Sequence, residues 1–405
     1  MRGDGMGSRQ ATAVLIALLL GGMLLTNLMW FQPATLLPVI AGELDMSYGQ
    51  SGLSVSVICL LAAAAGPFAG VVLNRAGLKN TFTAAVLFIA AGSVGSLVSV
   101  NFYVLLLMRV LVGVGIGISI PAPGVAAMSW LGEKQRPLLN SVYAILPYIA
   151  TALNFGVSVK LFNALGGDWK LTLAIPGFMA FAVTVVWAIQ DHTGYAKPET
   201  KHEGSPGIKD IGGVLRNRQV RLICLAEACD MWGFEFLSSY IVTYLSESGM
   251  TLEKAAALST MFPVAGIIAG TVCGALMTVS GKRKIFTWPM HLAIFTGTLM
   301  IVFGGGFVRL CGIFLAGFGN AGWAPALYTM PMEFIGMTAE KISLVFSVLF
   351  SMGFLAAFIS PPVGGRVAEM IGLKYTMAIY ASFALFAAIF TFSMDETHPG
   401  IEPGA

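Results

Sequence analysis

Apolar positions in this chain do not alternate with polar ones. They run together in stretches of about twenty residues or more, separated by short polar segments. Runs of that length predict membrane-crossing helices. Six fall in the first half: Ala11–Ile40, interrupted by Asn27, Trp30, Gln32 and Pro33, then Ser51–Leu73, Thr81–Val100, Val104–Trp130, Leu138–Phe162 and Leu171–Ile189. Six follow in the second half: Val220–Leu245, Ala255–Val279, Ile285–Gly304, Leu310–Pro331, Ser343–Met370 and Tyr375–Phe392. Between them, Gln190–Arg218 is rich in Asp, His, Lys, Glu, Pro, Gly and Arg and reads as a linker. The expected fold class is an all-α polytopic membrane protein with twelve transmembrane helices in two six-helix bundles. These cover residues 1–189 and 219–405, the second ending in a short cytoplasmic tail.

The fourth run carries the most pattern. Arg109, Gly113, Gly117 and Pro121 recur every four residues and form one slowly turning stripe on a helix, broadened by Gly115. A bare glycine face lets a neighbouring backbone approach closely, which is how helices associate in lipid. The same pattern returns 204 positions on. Gly113, Gly115 and Pro121 fall on Gly317, Gly319 and Pro325, while Gly66, Gly70 and Gly77 fall on Gly270, Gly274 and Gly281. An ungapped offset of this kind is the internal symmetry expected of a carrier built from repeats.

Composition agrees. Of 405 residues, 57% are hydrophobic and 11% charged, against roughly 25% charged in soluble domains. The continuous apolar runs exclude a membrane β-barrel. No basic patch interleaved with aromatics suggests nucleic acid. The five cysteines lie singly in apolar segments and read as small buried hydrophobes. The N-terminus is basic and then apolar, but its run outlasts a signal-peptide core and reads as the first membrane helix.

The short loops fix orientation. With the N-terminus inside, the cytoplasmic segments collect most of the Lys and Arg, including Arg75, Lys79, Lys134, Arg136, Lys282, Arg283 and Lys284. The opposite side holds Lys160, Lys170, Lys254, Arg309, Arg366 and Lys374. Both termini and the linker are therefore expected in the cytoplasm.

After the second run comes Gly70-Val-Val-Leu-Asn74-Arg75-Ala-Gly77-Leu-Lys79-Asn80, and after the eighth comes Gly274-Ala-Leu-Met-Thr-Val-Ser280-Gly281-Lys282-Arg283-Lys284. With the arginine–glycine–proline stripe of the fourth run, these make the chain resemble the major facilitator superfamily. That family carries G-x-x-x-D-[RK]-x-G-x-[RK]-[RK] between its second and third helices and a degraded copy between the eighth and ninth. The resemblance implies a secondary transporter of the twelve-helix type, with Gly70, Asn74, Arg75, Gly77 and Lys79 as a gating loop. Asn74 stands where the family has an acid, so a lock there lacks its charge. Arg75 and Lys79 serve topology equally well.

Ionisable groups inside membrane spans are functional candidates. Arg109 lies about 9 Å into its helix. It is expected to bind an anionic group or to exchange partners with a protonatable acid; snorkelling and a structural ion pair are the alternatives. The seventh run carries Glu227, Asp230 and Glu235. Asp230 falls about 15 Å along it, near mid-bilayer, and about 140° around from Glu235, which favours Asp230 for proton coupling. Gln32, Asn154 and Asn320 lie on helices that line the central cavity in the family, so they are binding candidates, with interhelical hydrogen bonding as the simple alternative. His291 is on the ninth helix, usually peripheral, and is read as structural.

No phosphate-binding loop, metal-ligand cluster or nucleophile triad occurs, so no cofactor, no metal and no enzymatic activity are expected. The function implied is alternating-access transport of a small organic solute across a bacterial-type inner membrane, coupled to protons, by a monomer in the lipid bilayer. The acidic seventh helix suits export of neutral or cationic compounds. Uptake of a small anion of the cyanate, monocarboxylate or nitrate kind is the alternative, and a non-transporting sensor on the same scaffold is another.

Overall fold

A computed structural model describes residues 6–132, 135–190 and 212–397, and the regular structure among them is helical throughout. The reason is the solvent: in hydrocarbon no water satisfies a free peptide group, so each crossing closes its own hydrogen bonds. Among the described residues eleven stretches are long and apolar enough to span a membrane, from Thr12–Glu43 to Leu373–Phe392. The twelfth crossing carries Glu227, Asp230 and Glu235, which take it out of any purely apolar count, yet it forms a continuous helix over Arg218–Glu247.

The chain divides into two compact units, Met1–Asp45 with Val57–Lys201 and Met46–Ser56 with His202–Ala405. Most of the expected linker, residues 191–211, and the tail from 398 lie outside the described residues.

In the first unit the helices are α1 (Met6–Trp30), α2 (Gln32–Glu43), α3 (Tyr48–Val94), α4 (Phe102–Ser119), α5 (Ala122–Trp130), α6 (Arg136–Ala164) and α7 (Trp169–Ile189). The first expected span is thus two helices, broken at Phe31 ahead of Pro33. The fourth breaks likewise, between Ser119 and Ala122 at Pro121. A proline lacks the N–H its preceding turn needs, so the helix stops or bends there. The expected second and third spans run together as α3, which turns at Gly77 (φ 78°, ψ 167°), a conformation only glycine holds cheaply. The core gathers Leu19, Met29, Phe82, Ile89, Val112 and Trp187.

In the second unit they are α8 (Arg218–Glu247), α9 (Leu252–Ser259), α10 (Met261–Ser280), α11 (Trp288–Phe303), α12 (Gly306–Gly322), α13 (Ala324–Glu333), α14 (Ala339–Ile371) and α15 (Leu373–Phe392). The tenth span breaks at Trp323, two residues before Pro325, the position that repeats Pro121. The first turns of α3, Met46–Ser56, pack into this unit. Gly52 lies against Pro361 so closely that a Cβ would stand 2.5 Å from its carbonyl carbon. Tyr240 donates its hydroxyl proton to the Tyr48 carbonyl, and the Tyr48 hydroxyl donates to Glu247 at 2.5 Å.

The 204-residue repeat is structural as well as textual. An added Cβ on Gly113 would meet the Ile58 Cα at 3.0 Å; on Gly317 it would meet the Phe262 carbonyl oxygen at 2.1 Å. Ile58 and Phe262 are themselves 204 positions apart. Gly77 and Gly281 both have positive φ, 78° and 70°. Large apolar side chains such as Phe68, Tyr103, Val279 and Met370 point outward, which a lipid surround permits and water does not.

Candidate functional site

The polar groups of the first unit converge on the break between α1 and α2. Pro33 has no N–H, so the Met29 carbonyl four residues earlier has no helical donor. The Ala34 N–H bonds to Phe31 instead of Trp30, freeing the Trp30 carbonyl too. Arg109, only 4% exposed on α4, supplies both missing donors: Nη1 to Met29 O at 2.6 Å and Nη2 to Trp30 O at 2.5 Å. The fork of the guanidinium suits two adjacent carbonyls. Asn154 on α6 donates to the Phe31 carbonyl at 2.6 Å and accepts from Ser158 at 2.8 Å. Gln32 donates across to Leu173 O at 2.8 Å and Thr172 O at 3.4 Å on α7. The Thr172 carbonyl is another that a proline, Pro176, leaves without its donor. Gln32 and Arg109 also border one small cavity with Ser93, Ser96 and Met108. Arg109, Gln32 and Asn154 thus meet around a broken helix.

The candidates of the second unit lie on α8 and what packs on it. Glu227, Asp230 and Glu235 are all buried, at 3%, 3% and 1% exposure. Glu227 and Asp230 are one turn apart and share a face. Asn320 on α12 donates to Asp230 Oδ2 at 3.4 Å. Glu227 lies against Gly353 of α14, where an added Cβ would be 3.1 Å from its Cγ and Oε1, and its Oε2 has no hydrogen-bond partner among the described residues.

His291 is the residue that sequence reasoning set aside. It is fully buried on α11, with Nε2 3.8 Å from Asp230 Oδ1. Its ring lies 4.6 Å from that of Trp323, and its Nδ1 is 3.1 Å from the Thr287 carbonyl. The signal was present: an ionisable residue in a long apolar run faces protein, not lipid.

The gating-loop candidates divide. Gly77 makes the turn of α3, and Lys79 Nζ donates to the Gln190 carbonyl at 3.1 Å, closing the end of α7. Arg75 is exposed, and the surroundings of Gly70 and the side chain of Asn74 lie outside the described residues. In the second copy Arg283 grips Glu333 through Nε and Nη2 at 3.0–3.2 Å. It also donates to the Met277 and Gly281 carbonyls, while Glu396 accepts from its backbone N–H at 2.7 Å.

A family model, Major Facilitator Superfamily, matches residues 18–339. The chain belongs to that superfamily. Its relatives there include the hexuronate transporter of Escherichia coli K12, 22% identical over 96% of this chain and 95% of the relative. The monocarboxylate transporter 4 of Rattus norvegicus is 22% identical over 86% of this chain and 75% of the relative. A crystal structure of a bacterial homologue of the human lysosomal transporter Spinster superposes with a TM-score of 0.79 over 94% of this chain and 96% of that one, at 14% identity. The protein is a superfamily transporter of small solutes, with the superfamily fold, and not an enzyme.

Proposed function

We propose that this superfamily member is a proton-coupled carrier of a small organic acid, acting as a monomer by alternating access in the cytoplasmic membrane with both termini inside. One observation carries the coupling. Asp230 sits deep in a membrane span, 3% exposed, beside a second buried acid and a buried imidazole, with no lysine or arginine ion-paired to it among the described residues. Such a carboxyl gains and loses a proton at modest cost and responds to a pH gradient. Within the first unit Arg109, Gln32 and Asn154 are the proposed solute contacts, the first being the cation for a carboxylate; within the second, Asn320 holds Asp230. The arginine and basic loop residues set the orientation. The relatives support the solute class, since hexuronates and monocarboxylates both bear a carboxylate. That favours organic-acid uptake over export of neutral or cationic compounds.

The test is flux in proteoliposomes with D-glucuronate and L-lactate as probes. An inwardly directed proton gradient should drive accumulation of at least one. Asp230→Asn should abolish gradient-driven accumulation while leaving solute exchange measurable. Accumulation by the wild type that ignores the gradient, or normal driven uptake by the variant, overturns the coupling.

A further inference from the structure

Hydrogen-bond direction places a hydrogen on one ring nitrogen of His291. The Thr287 carbonyl only accepts, so the ring nitrogen facing it at 3.1 Å, Nδ1, carries the hydrogen. In the neutral ring Nε2 is then a bare lone pair. It has no hydrogen-bond partner among the described residues and lies 3.8 Å from Asp230 Oδ1. A lone pair facing an ionised carboxylate across so short a buried gap is repulsive. The arrangement is satisfied when one proton lies between the two groups, on Asp230 as a carboxylic acid or on His291 as an imidazolium.

We propose that His291 is the second half of the proton site, receiving on Nε2 the proton that Asp230 carries. This rests on the proton-coupled reading above and adds a residue to it. In the step the Asp230 O–H bond breaks and the His291 Nε2–H bond forms, leaving a carboxylate and an imidazolium; nothing is oxidised or reduced. The gap must close by somewhat under 1 Å to reach ordinary hydrogen-bond distance, so transfer follows relative movement of α8 and α11. The same two helices, one turn further along, border a small cavity at Gly233 and Ile294. The groups facing His291 are few. Asp230 comes from α8, with Glu227 one turn behind it. Trp323 comes from the α12–α13 junction, and α15 presents Thr391, 3.5 Å from Nδ1 and itself bonded to the Ala387 carbonyl. Among the described residues, Asp230 is the titratable group that meets the ring. The outcome of protonation therefore depends on that pair, with Glu227 one turn along α8 from Asp230.

The pair is tested without any solute. The chain has four histidines, the others being His192, His202 and His398. In protein labelled with 15N-histidine, the His291 signal is the one lost in His291→Gln. Its neutral form should be the Nδ1–H tautomer, and Asp230→Asn should move its protonation midpoint down by about 1–3 pH units, the effect of losing an adjacent anion. The Nε2–H tautomer, or a midpoint indifferent to Asp230→Asn, overturns the pair. In proteoliposomes His291→Gln should shift the pH profile of gradient-driven D-glucuronate uptake; an unchanged profile overturns the transfer role. If the NMR signature holds while wild-type uptake ignores the gradient, the coupling reading itself fails, and the role of His291 with it.

Discussion

Arg109 donates to the main-chain oxygen of Met29 at 2.6 Å, and that oxygen is one Pro33 has deprived of its helical partner. An arginine that sequence alone offers as a substrate cation is thereby also the closure of a broken membrane helix. A solute carboxylate at the guanidinium would draw on donors that the backbone now holds.

The closure is measurable. Arg109→Leu should destabilise the detergent-solubilised protein by about 1–3 kcal/mol for each carbonyl left unsatisfied. Pro33→Ala returns an N–H to the Met29 carbonyl, so the Arg109→Leu penalty should shrink in that background by about 0.5–3 kcal/mol. Thermal unfolding of the four proteins of this cycle decides it. A strictly additive cycle removes the capping role.

The glycine seams should differ in tolerance. On Gly317 a methyl group would overlap a backbone oxygen at 2.1 Å, whereas on Gly113 it would meet Leu61 Cβ at 2.8 Å and Ile58 Cα at 3.0 Å. Gly317→Ala should therefore cost more, with overpacking of this kind worth about 1–3 kcal/mol. Melting temperature and monodispersity on size exclusion should rank wild type above Gly113→Ala above Gly317→Ala.

Glu227 is held against a bare helix surface. Gly353→Ala puts a methyl 3.1 Å from its Cγ and Oε1, so the carboxyl must shift by a few tenths of an ångström. Gradient-driven uptake should slow severalfold in Gly353→Ala, and Glu227→Asp, one methylene shorter, should recover part of it in the double variant. Equal rates in wild type and Gly353→Ala would show that the position of Glu227 does not matter to coupling.

The Arg283–Glu333 clamp ties the second loop copy. Arg283→Met removes the bidentate pair and two carbonyl contacts together, and about 1–3 kcal/mol of stability should go with it. Glu333→Gln keeps one acceptor and should cost less. Paired melting curves check the order, and the reverse order would assign the stability to Glu333 alone.

Much of this molecule follows from its one-dimensional pattern. Lipid makes the backbone close its own hydrogen bonds and continuous apolar runs do not suit a barrel, so run length located the crossings, and an ungapped 204-residue offset announced the paired glycine contacts of Gly113 and Gly317. Even the acids of α8 declared themselves, because a carboxyl in an apolar run needs a reason to be there.

What the pattern did not contain is which side chain meets which. The breaks at Pro121 and Trp323 lay inside runs read as single helices, since a proline in a span either bends or ends a helix according to which groups nearby accept its orphaned carbonyls. Arg109 could have faced solute, lipid or acid; packing of α4 on the α1–α2 break assigned it to two carbonyls. His291 has no polar neighbour in sequence, and only the packing of α11 on α12 and α15 sets its Nε2 opposite Asp230. Hydrophobicity is a property of residues and sums along the chain, whereas a hydrogen bond is a property of pairs and waits for the tertiary fold to choose them.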